Sequence, residues 1–170
     1  MPASDQGVAQ SHNRYRLIPR VLCFVTAGEE VLLLKGAPTK KIWPNKFNGL
    51  GGHVERGESP HAAAEREIRE EAGLQVLDLR LRGVVTIDTR EDAGIGLYVF
   101  TARALARATT ASSEGSLVWV PWNEVHALDL VEDLPRLLAR LQTAAPDDKP
   151  FGAHYAYAAD GHLRTKFFEG

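Results

Sequence analysis

The stretch "GGHVERGESPHAAAEREIREEAGL", residues 51–74, decides the fold. Ser59 and Pro60 read as the N-cap and first residue of a helix, the run to Ala72 is filled with good helix formers, and Gly73 ends it. Wound at 3.6 residues per turn, Ala64, Ile68 and Ala72 form one apolar stripe that should face a sheet. Glu67 and Glu71 fall beside that stripe at i, i+4, with Glu70 next to them on the polar side. Like charges at this spacing oppose the helix by roughly 0.2–0.5 kcal/mol per pair. Carboxylates so close repel unless a cation sits among them or protons are taken up. Hard oxygen ligands in a cluster suit Mg²⁺ or Mn²⁺ rather than zinc. A solvated helix face laced by Glu65–Arg69 and Arg66–Glu70 pairs is the alternative. Gly49, Gly51 and Gly52 favour the site, because they let the backbone bend close enough for a main-chain carbonyl to join the ligands.

Outward from this helix, residues 20–36 predict a β-hairpin turning at Gly-Glu-Glu, and residues 37–52 a long loop rich in Pro, Gly, Asn and Lys. Residues 74–89 and 95–105 predict two strands, 108–115 a flexible connection, and 116–121 a short strand. Residues 122–128 and 131–142 predict two short helical pieces. The chain closes on two extended segments about Asp160-Gly161, a hairpin signal. Strands and helices interleave without regular βαβ alternation, which predicts an α/β (α+β) fold, a central mixed sheet with helices on both sides.

At 170 residues the chain predicts one domain, burying about 70% of the surface of its unfolded state. Residues 1–13 read as a disordered leader, 14–145 as the main domain, and 146–170 as a C-terminal hairpin extension of it. With a net charge of −2 and no long Lys/Arg block, a polymeric nucleic-acid partner is not expected, while single nucleotides stay open. No apolar run approaches the roughly 20 residues that span a bilayer, so the expectation is a cytoplasmic protein with no membrane partner. The lone Cys23 lies in "VLCFV" and reads as a buried core thiol.

The spacing of Gly52, Glu58 and the run Arg66-Glu67-Ile68-Arg69-Glu70-Glu71-Ala72-Gly73-Leu74 matches every position of the Nudix box, and the chain resembles that family. The resemblance implies an α/β/α sandwich and a hydrolase that uses divalent cations, Mg²⁺ with Mn²⁺ as substitute, to cleave the pyrophosphate link of a nucleoside diphosphate derivative. It implies Glu67 and Glu71 as main metal ligands, Glu70 as a further ligand or base, and the Gly51 carbonyl as the backbone ligand. Arg66 and Glu58 resemble the pair that orients these carboxylates.

Beyond the box, "FNGLGGHVERGES", residues 47–59, is similar to the MutT-like 8-oxo-dGTP diphosphatases, which usually carry Lys where this chain has His53. Such a His would meet phosphate with a pH-dependent charge. The same resemblance implies that Glu114 approaches the metals as a ligand or base, and that Glu132 and Asp133, with Asn48, recognise a purine. An exposed loop Glu and a pair of acids favoured by a helix dipole are the plain alternatives. The expected activity is conversion of purine nucleoside triphosphates, oxidised ones such as 8-oxo-dGTP included, to monophosphate and pyrophosphate. A Nudix hydrolase of another substrate (a dinucleoside polyphosphate, a nucleotide sugar or a capped RNA end) is the second reading. A non-catalytic nucleotide-binding regulator is the third, and the three intact glutamates argue against it.

Overall fold

The computed structural model describes residues 14–110 and 114–168; the predicted leader and part of the 108–115 connection lie outside them. The element order is β1 (Arg16–Ala27), β2 (Glu30–Gly36), β3 (Phe47–Asn48), α1 (Pro60–Ala72), β4 (Val76–Asp88), β5 (Ala93–Ala104), β6 (Gly115–Pro121), α2 (Leu134–Thr143), β7 (Phe151–Tyr157) and β8 (Leu163–Phe168). The strands form one mixed sheet in the order β3-β2-β1-β5-β4-β7-β8, with β6 paired to β2. β1 runs parallel to β5 and β4 parallel to β7; the other pairs are antiparallel. The C-terminal hairpin therefore continues the same sheet through β7.

The helices cover opposite faces. Ala63, Ala64, Ile68 and Ala72 of α1 pack with Val21, Cys23, Val25 and Phe100. Leu134, Leu137, Leu138 and Leu141 of α2 pack with Leu22, Phe24, Val85 and Val99. Alternate residues of β1 thus feed two separate cores, as the two-residue period of a strand requires.

Several expected spans change. Parallel pairing of β1 with β5 runs from Arg16↔Ala93 to Thr26↔Arg103, so both strands begin earlier than their apolar runs do. Between residues 122 and 128 only Val125–Ala127 forms a short 3-10 turn, because the Trp122 amide bonds back to the Glu29 carbonyl at 3.0 Å and holds the chain on the sheet.

The predicted long loop returns to the sheet before it reaches α1. β1 and β2 pair directly only from Val25↔Leu32 to Ala27↔Glu30. Where they part, residues 47–53 enter the gap: Asn48 pairs with Leu34, Leu50 bridges Cys23, and His53 bridges Arg20. This wedge carries the glycines to the base of α1.

Candidate active site

Helix α1 is pinned at both ends. Ser59 Oγ accepts from the Ala62 amide at 3.1 Å, and Gly73 takes the left-handed conformation, φ 68°, with its amide on the Arg69 carbonyl. The helix therefore presents its acidic flank to the glycine wedge in a fixed rotation. The Gly51 amide donates to Glu71 Oε2 at 2.8 Å. The neighbouring Leu50 and Gly52 carbonyls accept from Cys23 and Val21, which leaves the Gly51 carbonyl outside the ladder with β1 among the described residues. A Cβ on Gly51 would lie 2.1 Å from the Val21 carbonyl oxygen, and one on Gly52 would lie 2.3 Å from Glu67 Oε1. Glycine at 51 permits the backbone approach. Glycine at 52 makes room for a carboxylate.

Arg66 is the hub of the acidic flank. Its guanidinium donates to Glu58 Oε1 at 2.7 Å and Oε2 at 3.2 Å, to Glu67 Oε1 at 2.8 Å, to Glu70 Oε2 at 3.2 Å and to the His53 carbonyl at 3.0 Å. The bonds from Arg66, then that from the Glu55 amide, hold the Glu58 carboxyl below its ordinary range. The surrounding carboxylates push the Arg66 guanidinium further up. Glu67 is 14% exposed and Glu70 59%, so Glu67 is enclosed beside Arg66 while Glu70 reaches the solvent.

Glu71 differs from both. Burial pushes its carboxyl up to about 7; the Gly51 hydrogen bond opposes this, and the charges of Glu114 and Glu67 add to it. Burial, and then Glu71 and Glu67, push the Cys23 thiol up, and Cys23 is buried in the core as the sequence predicts. A small pocket of about 70 Å³ gathers Glu71, Glu114, Gly51, Asn48, Lys40 and Trp43. Lys40 Nζ bonds Glu114 Oε2 at 2.6 Å.

Among the described residues no three Asp, Glu, His or Cys side chains are already drawn together as a ligand set. Arg66 holds Glu67 and Glu70, the Gly51 amide holds Glu71, and Lys40 holds Glu114. The donor chemistry nonetheless fits a hard divalent cation, since Glu71, Glu114 and Gly51 line one pocket, Glu67 lies against Gly52 beside it, and their carboxylates and main-chain carbonyl offer oxygen alone. Such an ion would compete with Arg66 and Lys40 for these oxygens.

The predicted base-recognition residues are placed differently. Asn48 lines the pocket with Glu71, but its Oδ1 accepts from the Gly49 amide at 2.8 Å. His53 is exposed and contributes its carbonyl to Arg66. Glu132 Oε1 accepts from the Leu163 amide at 2.9 Å, tying the start of α2 to β8. Asp133 makes no side-chain cap bond to α2; burial first, then Glu132, holds its carboxyl above the ordinary range against the bond from its own amide. Sequence reasoning gave no role to Lys40, although the Lys-rich loop was the available signal. The Trp119 indole is engaged, donating to the Arg107 carbonyl at 3.0 Å, and Trp122 lies outside this pocket.

Residues 16–141 match the NUDIX domain family, and the chain belongs to it. Among curated proteins it is similar to the NAD-capped RNA hydrolase NudC of Pseudomonas aeruginosa, 40% identical over 72 residues, covering 42% of this chain. It is also similar to NudC of Mycobacterium tuberculosis, 42% identical over 69 residues, covering 40% of this chain. These alignments span 25% and 21% of the length of those relatives. Its fold is that of the MutT protein from Bacillus halodurans, with a TM-score of 0.75 at 24% identity over 89% of this chain and 97% of that one. The MutT protein from Methanosarcina mazei Go1 aligns with a TM-score of 0.62 at 22% identity, over 76% of this chain and 95% of that one. Among the described residues no helix is long and apolar enough to cross a membrane.

Proposed function

We propose that this chain is a divalent-cation-dependent pyrophosphohydrolase that cleaves a phosphoanhydride bond of a nucleotide with water. The observation that carries this reading is the docking of the acidic flank of α1 on the glycine wedge: the Gly51 amide bonds Glu71, Glu67 fills the space beside Gly52, Arg66 bonds both Glu67 and Glu70, and Glu114 lines the pocket with Glu71. These four side chains and the Gly51 carbonyl would hold the cation, with Mg²⁺ the expected ion and Mn²⁺ its substitute. When bound, the cation neutralises phosphate charge and lowers the pKa of a water. Arg66 fixes Glu67 and orients Glu70. Glu70 and Glu114, the two more exposed carboxylates, are the candidates to take the proton from the attacking water.

For the substrate, we favour purine nucleoside triphosphates, oxidised ones such as 8-oxo-dGTP included, cleaved to monophosphate and pyrophosphate. Asn48 borders the pocket that holds Glu71, and its amide can donate as well as accept. The Val131 amide bonds the Phe47 carbonyl, which brings the chain leading into Asp133 alongside Asn48. Burial holds the Asp133 carboxyl above its ordinary range, and in its protonated form that carboxyl can donate to a purine edge. Among the described residues the buried Tyr155 hydroxyl has no hydrogen-bond partner.

A second reading, a capped RNA end as substrate, is favoured by the similarity to proteins named NAD-capped RNA hydrolases. It would replace the expected small nucleotide with the end of a polymer. Initial rates on 8-oxo-dGTP, dGTP, NAD⁺ and NAD-capped RNA with Mg²⁺ separate the two. The purine reading expects the highest kcat/KM on a triphosphate, and preference for the NAD-linked substrates would replace it by the second.

A further inference from the structure

Apart from the acidic pocket, a cleft of about 790 Å³ opens at the other end of the sheet. Its origin is a mismatch of lengths. α2 has 10 residues, about 15 Å at the α-helical rise, whereas β4 and β5 have 13 and 12, about 40 Å at the strand rise. The helix covers the apolar part of its face, over Phe24, Val85 and Val99, and stops. Beyond its end the same face becomes polar: Thr26 on β1, Thr101 and Arg103 on β5, Arg80 and Arg82 on β4. Trp122 and Asn123 form one wall.

The arginines of this floor are held chiefly by neutral partners. Arg82 donates to Thr101 Oγ1 at 2.8 Å and to the Ala145 and Pro146 carbonyls at 2.9 and 3.1 Å. Arg80 donates to the Pro146 carbonyl at 2.8 Å; its one carboxylate neighbour, Asp147, is 3.5 Å away and fully exposed. Arg103 is paired with Asp78. Each guanidinium carries five N–H donors, so the bonds to carbonyls orient Arg80 and Arg82 without neutralising them and leave donors for the cleft. Two guanidiniums oriented mainly by carbonyls suit the oxygens of phosphate better than lysines would. The volume lies within the roughly 300–1,000 Å³ of small-ligand sites, and the Trp122 indole offers an aromatic neighbour for a base.

We propose that this cleft is a second ligand site, which binds the phosphate groups of a nucleotide through Arg80 and Arg82, apart from the acidic pocket and whatever reaction occurs there. The site does not depend on the proposed hydrolysis.

The test is calorimetric titration of the full chain with ADP in EDTA. Saturable binding is expected, weakened at least tenfold in Arg80→Gln/Arg82→Gln and unchanged in Lys40→Ala, which alters only the acidic pocket. Because the arginines also brace the 145–147 segment, Asn123→Glu serves as a second variant. It adds a negative charge at the exposed wall without touching the brace, and should weaken binding several-fold while the melting temperature holds. Inorganic pyrophosphate as titrant identifies how much the phosphates contribute: binding with similar sensitivity to the arginines supports a phosphate site. Absence of ADP binding, or binding lost in Lys40→Ala and retained in both Asn123→Glu and the arginine variant, overturns the proposal.

Discussion

Glu71 accepts a hydrogen bond from the Gly51 amide at 2.8 Å, across 20 residues of sequence. That bond joins the helix that carries the acids to the wedge that carries the glycines. The helix also carries Glu67 and Glu70, and the wedge also carries Asn48 and Gly52.

The two glycines of the wedge should fail in different ways. Gly51→Ala drives a Cβ onto the Val21 carbonyl at 2.1 Å and keeps a backbone at φ 151°; neither can yield without moving β1. It should destabilise the fold by about 2–4 kcal/mol, read by urea unfolding. Gly52→Ala meets only the end of the Glu67 side chain, so stability should change by less than about 1 kcal/mol while hydrolysis drops at least about tenfold. Equal stability losses in the two variants would contradict this division.

Arg66 should be replaceable in charge but not in shape. Its guanidinium serves Glu58, Glu67 and Glu70 together, a geometry that the lysine ammonium cannot reproduce. Arg66→Ala should cost about 1–3 kcal/mol of stability, because it leaves Glu58 and Glu67 partly buried without their donor. Arg66→Lys should recover much of that stability and little of the turnover. Full turnover in Arg66→Lys would mean that the fork does not position the carboxylates.

Asp133 predicts a pH dependence with a definite sign. Its carboxyl is raised by burial, so between its ordinary pKa and the raised one the folded protein holds a proton that the unfolded chain has released. Stability from this group is complete below the ordinary carboxylate range and is lost as pH rises through the raised pKa. Asp133→Asn removes the titration. The difference in unfolding free energy between variant and wild type should therefore shift toward the variant as pH rises from 4 to 7. A pH-independent difference would show that folding does not raise the Asp133 pKa.

Helix α1 was legible because its signals are local. Ser59, Pro60 and Gly73 mark its ends, and the Ala64-Ile68-Ala72 stripe fixes its rotation, so the clustering of Glu67, Glu70 and Glu71 on one flank follows from 3.6 residues per turn. What was not legible depends on partners far along the chain. The entry of residues 47–53 between β1 and β2 needs the two strands to part, which neither sequence announces. Glu132 read as half of an acidic pair, yet it bonds the Leu163 amide 31 residues away. Lys40 sits in an irregular loop with no period to reveal its face, and only the fold brings it to Glu114. Arg80 and Arg82 were part of a predicted strand, but the short reach of α2 decides that they floor a cleft instead of lying beneath a helix.

The most direct test of the central claim is the rate of nucleotide phosphoanhydride hydrolysis, measured with Mg²⁺ and with excess EDTA, for wild type and Glu71→Gln. If the α1 carboxylates hold the cation that the reaction uses, wild type turns over only with Mg²⁺. Glu71→Gln, which keeps shape and removes charge, should then lose about 3–4 kcal/mol of transition-state stabilisation, a fall of more than about a hundredfold in kcat/KM. Undiminished hydrolysis in EDTA, or a near-wild-type rate in Glu71→Gln, would contradict it.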